Sequence, residues 1–193
     1  MKNYLLFFLC SLMAFNCFGQ SDSPHLLFKG VPIDGTRNSF VSKMKQKGFE
    51  VWGEKDGISV LRGDFAGYTG CIVGVVASKH KDLVSKIVVI FPPCDTWECL
   101  SGNYFSLKVA LNKKYGKPAG EEEFFEGSSV PRDDLSRFQY VFFDRCKYAT
   151  FYETDHGYIK LRITHDDKNG KVSLVYTDKI NGDVISTDAL DDL

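Results

Sequence analysis

The sequence predicts an α+β protein, an antiparallel sheet with helices packed on one face. Three observations carry that prediction. Short β-branched runs punctuated by glycine recur along the chain, two stretches place apolar residues at helical spacing, and no strand leads through a glycine-rich phosphate turn into a helix. The 193 residues are 44% hydrophobic and 14% aromatic, enough for a sizeable core, with 24 Lys+Arg against 25 Asp+Glu. Such a composition excludes a chain disordered throughout, and a net charge of −1 opposes a nucleic-acid partner.

The first element is an address. Lys2 precedes an almost wholly apolar run from Tyr4 to Phe18, and Cys17 and Gly19 supply the small residues a signal peptidase needs for a cut after Gly19. A cut after Gln20 is the close alternative. Residues 1–19 are read as a signal peptide that sends the chain to the periplasm or outside the cell, and 20–193 as one domain. A lipoprotein anchored at Cys17 is disfavoured because Asn16 stands where a small residue is wanted. No later run has membrane length, so the mature chain is expected to lack a transmembrane segment.

Cleavage removes Cys10 and Cys17 and leaves Cys71, Cys94, Cys99 and Cys146. An even count in an exported chain favours two disulfides, with three connectivities open. Cys94 and Cys99 are near in sequence, and Cys71 and Cys146 lie in similar strand-like contexts of the two halves. The preferred pairing is therefore Cys94 with Cys99 and Cys71 with Cys146.

The remaining elements follow in order. Leu26-Leu27-Phe28 is a short strand, and Pro32 to Thr36 turns into a helix carrying Phe40, Val41 and Met44 on one stripe, which Gly48 ends. Strands follow at Ile58–Leu61, Cys71–Val76 and Val84–Phe91, stopped by Pro92-Pro93. Asp95-Thr96-Trp97-Glu98 has capping-box spacing and opens a second helix through Leu107, Leu111 and Tyr115, with Phe105, Val109 and Ala110 widening its apolar face. Gly116-Lys117-Pro118 ends it. Gly120 to Ser136 reads as a polar loop, and Phe138–Phe143 and Cys146–Tyr152 as aromatic strands. Tyr158–Thr164 alternates like a half-buried strand, and Asp167-Lys168-Asn169-Gly170 turns it into a last strand through Val172, Leu174 and Tyr176. The acidic tail from Asp188 is expected to fray. One helix followed by about three strands thus occurs twice, in half-units of about 24–93 and 94–180, which predicts two tandem units.

Catalytic constellations are missing. Cys94 and Cys99 lack the Cys-x-x-Cys spacing of redox enzymes, although Cys99 near a helix start could be activated. His156 and His165 flank one predicted strand and stand too far apart to share a metal. Asp166–Gly170 and Asp178–Asp183 depart from the calcium-loop order and read as hairpin turns. Glu121, Glu122, Glu123 and Glu126 form a solvated charge run, no Gly-x-Ser-x-Gly elbow occurs, and Arg62-Gly63-Asp64 is a chance triplet. No metal or cofactor is implied. The remaining signal is aromatic: core packing claims most of those rings, and Tyr140, Phe142, Tyr148 and Tyr152 are the candidates for an exposed binding face.

Phe28-Lys29-Gly30-Val31-Pro32-Ile33-Asp34-Gly35, the Phe40 helix ending at Gly48-Phe49, and Leu111 to Tyr115-Gly116-Lys117-Pro118 resemble segments of small exported proteins of unassigned function from Gram-negative anaerobes. The repeated helix-and-sheet order is also similar to the beta-lactamase-inhibitor-like tandem fold, and that resemblance implies protein binding on a concave sheet. The expectation is a non-catalytic periplasmic or secreted binding module for a protein, peptide or glycan, using sheet aromatics and the Gly120–Ser136 loop. The alternatives are an envelope thiol enzyme using Cys99 and a structural envelope component assembling through an edge strand.

Overall fold

The structure is a computed structural model that describes residues 23–78, 81–127 and 130–184. The expected signal peptide, the Cys17 alternative and the acidic tail lie outside the described residues. The described residues open with a two-stranded hairpin, β1 (Leu27–Phe28) and β2 (Val31–Pro32). Then comes α1 (Arg37–Gln46), begun where the Thr36 hydroxyl accepts from the Ser39 amide at 3.3 Å. It buries Phe40 and Met44 and stops before Gly48, whose φ of 88° only glycine adopts readily.

Four strands follow: β3 (Glu50–Lys55), β4 (Ile58–Phe65), β5 (Tyr68–Ala77) and β6 (Val84–Ile90). Helix α2 (Trp97–Tyr115) buries Trp97, Leu100, Tyr104, Leu107 and Leu111 on one stripe. Its cap is Thr96 rather than Asp95, because Thr96 has the extended backbone of a cap and its hydroxyl reaches the Cys99 amide at 3.2 Å. Phe105 and Val109, expected to widen the buried face, are 42% and 68% exposed on the other side.

The expected polar loop contains an edge strand, β7 (Gly120–Phe125), and ends in α3 (Asp134–Phe142). Here the sequence expectation of an aromatic strand at Phe138–Phe143 is overturned. Asp133 caps a helix by accepting from the Ser136 amide at 2.9 Å, and Phe138, Val141 and Phe142 fall at i, i+3 and i+4. β8 (Cys146–Thr154), β9 (Gly157–His165) and β10 (Gly170–Asp178) complete the fold.

The eight long strands form one antiparallel sheet in the order β3-β4-β5-β6-β10-β9-β8-β7. Each helix-then-strands run along the chain has four strands rather than three, with α3 inserted into the second. The two meanders meet at a single seam, where β6 pairs with β10 through Ile87↔Tyr176, Val88↔Val175 and Ile90↔Ser173. Alternation assigns the faces. Leu61, Val73, Val89, Leu174, Leu161 and Thr150 stand in register across six strands, and each is at most 1% exposed. The buried residues of α1, α2, α3 and the β1–β2 hairpin share one core with this face.

A buried polar knot ties the segments just before β1 and just after β10 to the sheet. Asp178, fully buried, accepts from the amides of Leu26 at 2.8 Å and Asn181 at 2.9 Å, and lies 3.1 Å from His25 Nδ1. The Asn181 amide group donates to the carbonyls of Ile33 at 3.0 Å and Val84 at 2.9 Å. Asp178–Asp183 is therefore not a hairpin turn: Asp178 ends β10, and a short helix over 179–184 carries Asn181 into the core. Asp178→Ala would leave the buried Leu26 amide without an acceptor, so urea unfolding should show a loss of about 3 kcal/mol. Asp167→Ala, in the exposed β9–β10 turn, should leave the midpoint unchanged.

Candidate functional site

The sheet face away from the helices is uncovered among the described residues. Register places three rows across it. The central row runs Val60, Gly74, Val88, Val175, Lys160 and Phe151, all half-buried. One flanking row runs Arg62, Ile72, Ile90, Ser173, Arg162 and Ala149, and the other Val76, Lys86, Thr177 and Tyr158. Val60, Val88, Val175, Ile72, Ile90 and Val76 are the apolar β-branched members of these rows, while the small Ser173 and Ala149 are buried between their larger neighbours.

The cations on this face are held by little. Lys160 Nζ sits 4.7 Å over the Phe151 ring, and Arg162 Nε donates to the Ser173 hydroxyl at 3.3 Å. Among the described residues none of Arg62, Lys86, Lys160 or Arg162 has a carboxylate at ion-pair distance. Lys160 divides two depressions. One of about 230 Å³ lies between Phe151, Tyr158 and Val175, and one of about 320 Å³ lies over Ala149, Lys147 and Arg162.

A second concavity, about 470 Å³, opens on the helix side between α2, β7, β8 and the start of α3. Its walls are Trp97, Phe105, Phe125 and Tyr148, with Trp97 and Tyr148 edge to face at 5.3 Å and Trp97 and Phe125 at 5.1 Å. Glu123 and Arg137 bring charge to it. The Glu123 carboxylate accepts from the Tyr104 hydroxyl at 3.2 Å and from Lys108 at 2.5 Å. Burial opposes the charge on Lys108, but its bonds to Glu121 and Glu123 outweigh that and raise its pKa.

The four aromatics singled out in the sequence do not form one surface. Tyr148 and Tyr152 point to the covered face, where Tyr152 is buried and donates to Asn112 Oδ1 at 2.7 Å. Tyr140 and Phe142 belong to α3: Tyr140 packs on Phe125 at 6.0 Å, and Phe142 on His165 at 5.3 Å. Of the four, Tyr148 lines the aromatic cleft, together with Glu123 to Phe125 and Val130 of the Gly120–Ser136 segment, while Tyr152 borders the depression beside Phe151. The uncovered rows escaped sequence reasoning because alternation separates two faces without saying which one the helices cover. The signal present was the cation alternation of Lys160 and Arg162 against Ile159, Leu161 and Ile163.

Cysteine pairing is half as expected. Cys94 and Cys99 are bonded, with Cα atoms 5.7 Å apart, and Cys94 exchanges backbone hydrogen bonds with Gly170, fixing the start of α2 to β10. Cys99 so bonded presents no thiol. Cys71 and Cys146 are free, which corrects their expected pairing. They stand on β5 and β8, four strand spacings or about 19 Å apart, whereas a disulfide needs Cα atoms within about 7 Å. Similar contexts in the two meanders put them on opposite sides of the seam.

The chain matches no protein-family model, no curated protein and no solved structure. Among the described residues no helix is long and apolar enough to cross a membrane.

Burial pushes the Cys146 thiol up to about 12, and burial raises that of Cys71 as well. At pH 8 about one Cys146 in 10⁴ is then a thiolate. Iodoacetamide at pH 8 should label neither thiol in the native protein, two in urea, and four after reduction of the mature chain, as read by mass. A thiol that ionises near 9 when unfolded and near 12 when folded contributes stability in full below pH 9, and loses it as pH rises through that interval. Urea midpoints should fall above pH 9, less steeply in Cys146→Ala.

Proposed function

We propose that the protein is a non-catalytic binding module of the periplasm or extracellular space that holds an acidic protein partner on the uncovered face of its sheet. One observation carries the reading: three in-register rows of half-exposed Val and Ile side chains, set with Arg62, Lys86, Lys160 and Arg162, which lack carboxylate partners among the described residues. Apolar residues flanked by unneutralised cations match a partner that brings both apolar contact and carboxylates.

Size bears on that use. The two longer rows cross six strands, about 24 Å at about 4.8 Å per spacing, and three rows with their side chains occupy about 20 Å along the strands. The face therefore offers roughly 500 Å², enough for the central part of the ~800 Å² each partner gives a standard interface. The Cys94–Cys99 disulfide supports an oxidising compartment. We also infer that half-units 24–93 and 94–180 are tandem versions of one helix-and-meander unit, supported by a strand order mirrored about the β6–β10 seam.

A photo-crosslinking residue in place of Val88, introduced into the full chain in its native host, should capture a partner that the same residue in place of Val109 does not. Lys160→Glu with Arg162→Glu should weaken binding of the captured partner about tenfold, about 1.4 kcal/mol, and flatten its salt dependence. Equal capture from both positions, or charge reversal without effect, would overturn this reading.

A further inference from the structure

We infer that the aromatic cleft between α2, β7 and α3 is a second, independent binding site, and that its ligand is one or two neutral sugar rings. Phe105, Phe124 and Val130, which are 42%, 51% and 65% exposed, all line this one concavity. Large apolar side chains gathered at a cleft mouth mark a place where something else completes the packing. Its volume of about 470 Å³ lies within the range of small-molecule sites.

The polar groups narrow the ligand. Glu123 uses one carboxylate oxygen, Oε1, for Tyr104 and Lys108, which leaves Oε2 as an acceptor among the described residues. Arg137 gives Nη1 to Asp134 at 3.3 Å, which among the described residues leaves the rest of its guanidinium fork as donors. A wholly apolar occupant would strip water from both groups and return no hydrogen bond to either. An ion would meet one charge of each sign and gain little net attraction. A hydroxyl both donates and accepts, so it serves a carboxylate that only accepts and a guanidinium that only donates.

The rings impose the second requirement. They come from three elements, Trp97 and Phe105 on α2, Phe125 on β7 and Tyr148 on β8, so the ligand must show apolar surface in more than one direction. A pyranose does so: its C–H faces lie against the negative faces of aromatic rings while its hydroxyls radiate from the edge.

The chain has two tryptophans, Trp52 and Trp97, and Trp52 is 65% exposed on β3. In the Trp52→Phe protein, emission therefore reports Trp97 and the cleft alone. Titration with maltose, cellobiose and chitobiose to about 50 mM, enough to saturate a millimolar site, should give a saturable change with at least one of them. Phe105→Ala and Arg137→Gln, each with an unchanged urea midpoint, should weaken that response about tenfold. Silence with all three sugars overturns the inference. So does a response confined to N-acetyl-phenylalaninamide, which would assign the cleft to an apolar side chain of a peptide. Because the cleft and the uncovered sheet face lie on opposite sides of the sheet, Lys160→Glu with Arg162→Glu should leave the sugar response intact, so either reading can fail alone.

Discussion

The antiparallel pairing of β6 with β10 is the contact on which the rest of the structure depends. Each meander alone is a four-stranded sheet with one exposed inner edge, and only this seam makes them a single eight-stranded surface. The pairing joins residues more than eighty positions apart, Ile90 with Ser173 and Ile87 with Tyr176. A contact so distant in sequence closes a long loop and recovers that entropy only when much apolar surface is buried together. Val89 and Leu174 provide that burial on the covered side. Val88 and Val175 continue the seam on the other, where they become the centre of the uncovered rows. The interaction that assembles the fold therefore also assembles the proposed docking face.

Joining two meanders at their inner strands leaves two outer edges, and both carry features that oppose further pairing. On β3 the register slips between Val51 and Gly53, so Trp52 is a bulge, and Glu50, Glu54 and Lys55 charge the same short strand. On β7 three consecutive glutamates, Glu121 to Glu123, occupy the edge. Bulges and charge are the usual means by which an edge avoids recruiting another strand. Assembly through an edge strand, the structural-component alternative, is thus opposed at both edges, whereas nothing comparable guards the centre of the uncovered face.

Much of the fold was legible because its signals are local. The Thr36 helix start, Gly48, the Asp166–Gly170 turn and the alternation of Ile159, Leu161 and Ile163 are set by near neighbours, and the structure follows them. The misread parts share a different cause. Phe138–Phe143 has strand-forming residues, but the cap at Asp133 and the 138/141/142 stripe make it a helix, so pattern outweighs propensity. Glu121–Glu123 looks like a loop because its alternation is hidden: the outward residue and the inward ones are all acidic, and the inward pair is answered by Lys108 and Tyr104 from α2. Asp178 and Asn181 resemble turn residues until their partners, Leu26, Ile33 and Val84, are brought up from far along the chain.

The site was less legible than the fold, for a reason visible in β8. Tyr148, Thr150 and Tyr152 alternate with Ala149 and Phe151, and the tyrosines looked like the binding side. Tyrosine, however, suits the boundary between a helix layer and a sheet, where its ring packs and its hydroxyl finds a partner. Tyr104 and Thr150 share a hydrogen bond of 2.5 Å, and Tyr152 reaches Asn112. Once both tyrosines are committed to the core, alternation hands the outer face to Ala149 and Phe151, and through them to Arg162 and Lys160 across the pair. The outer surface is thus fixed by the demands of the inner one, which is why it carries small and β-branched side chains set with cations and why the tyrosines of β8 belong to the covered side.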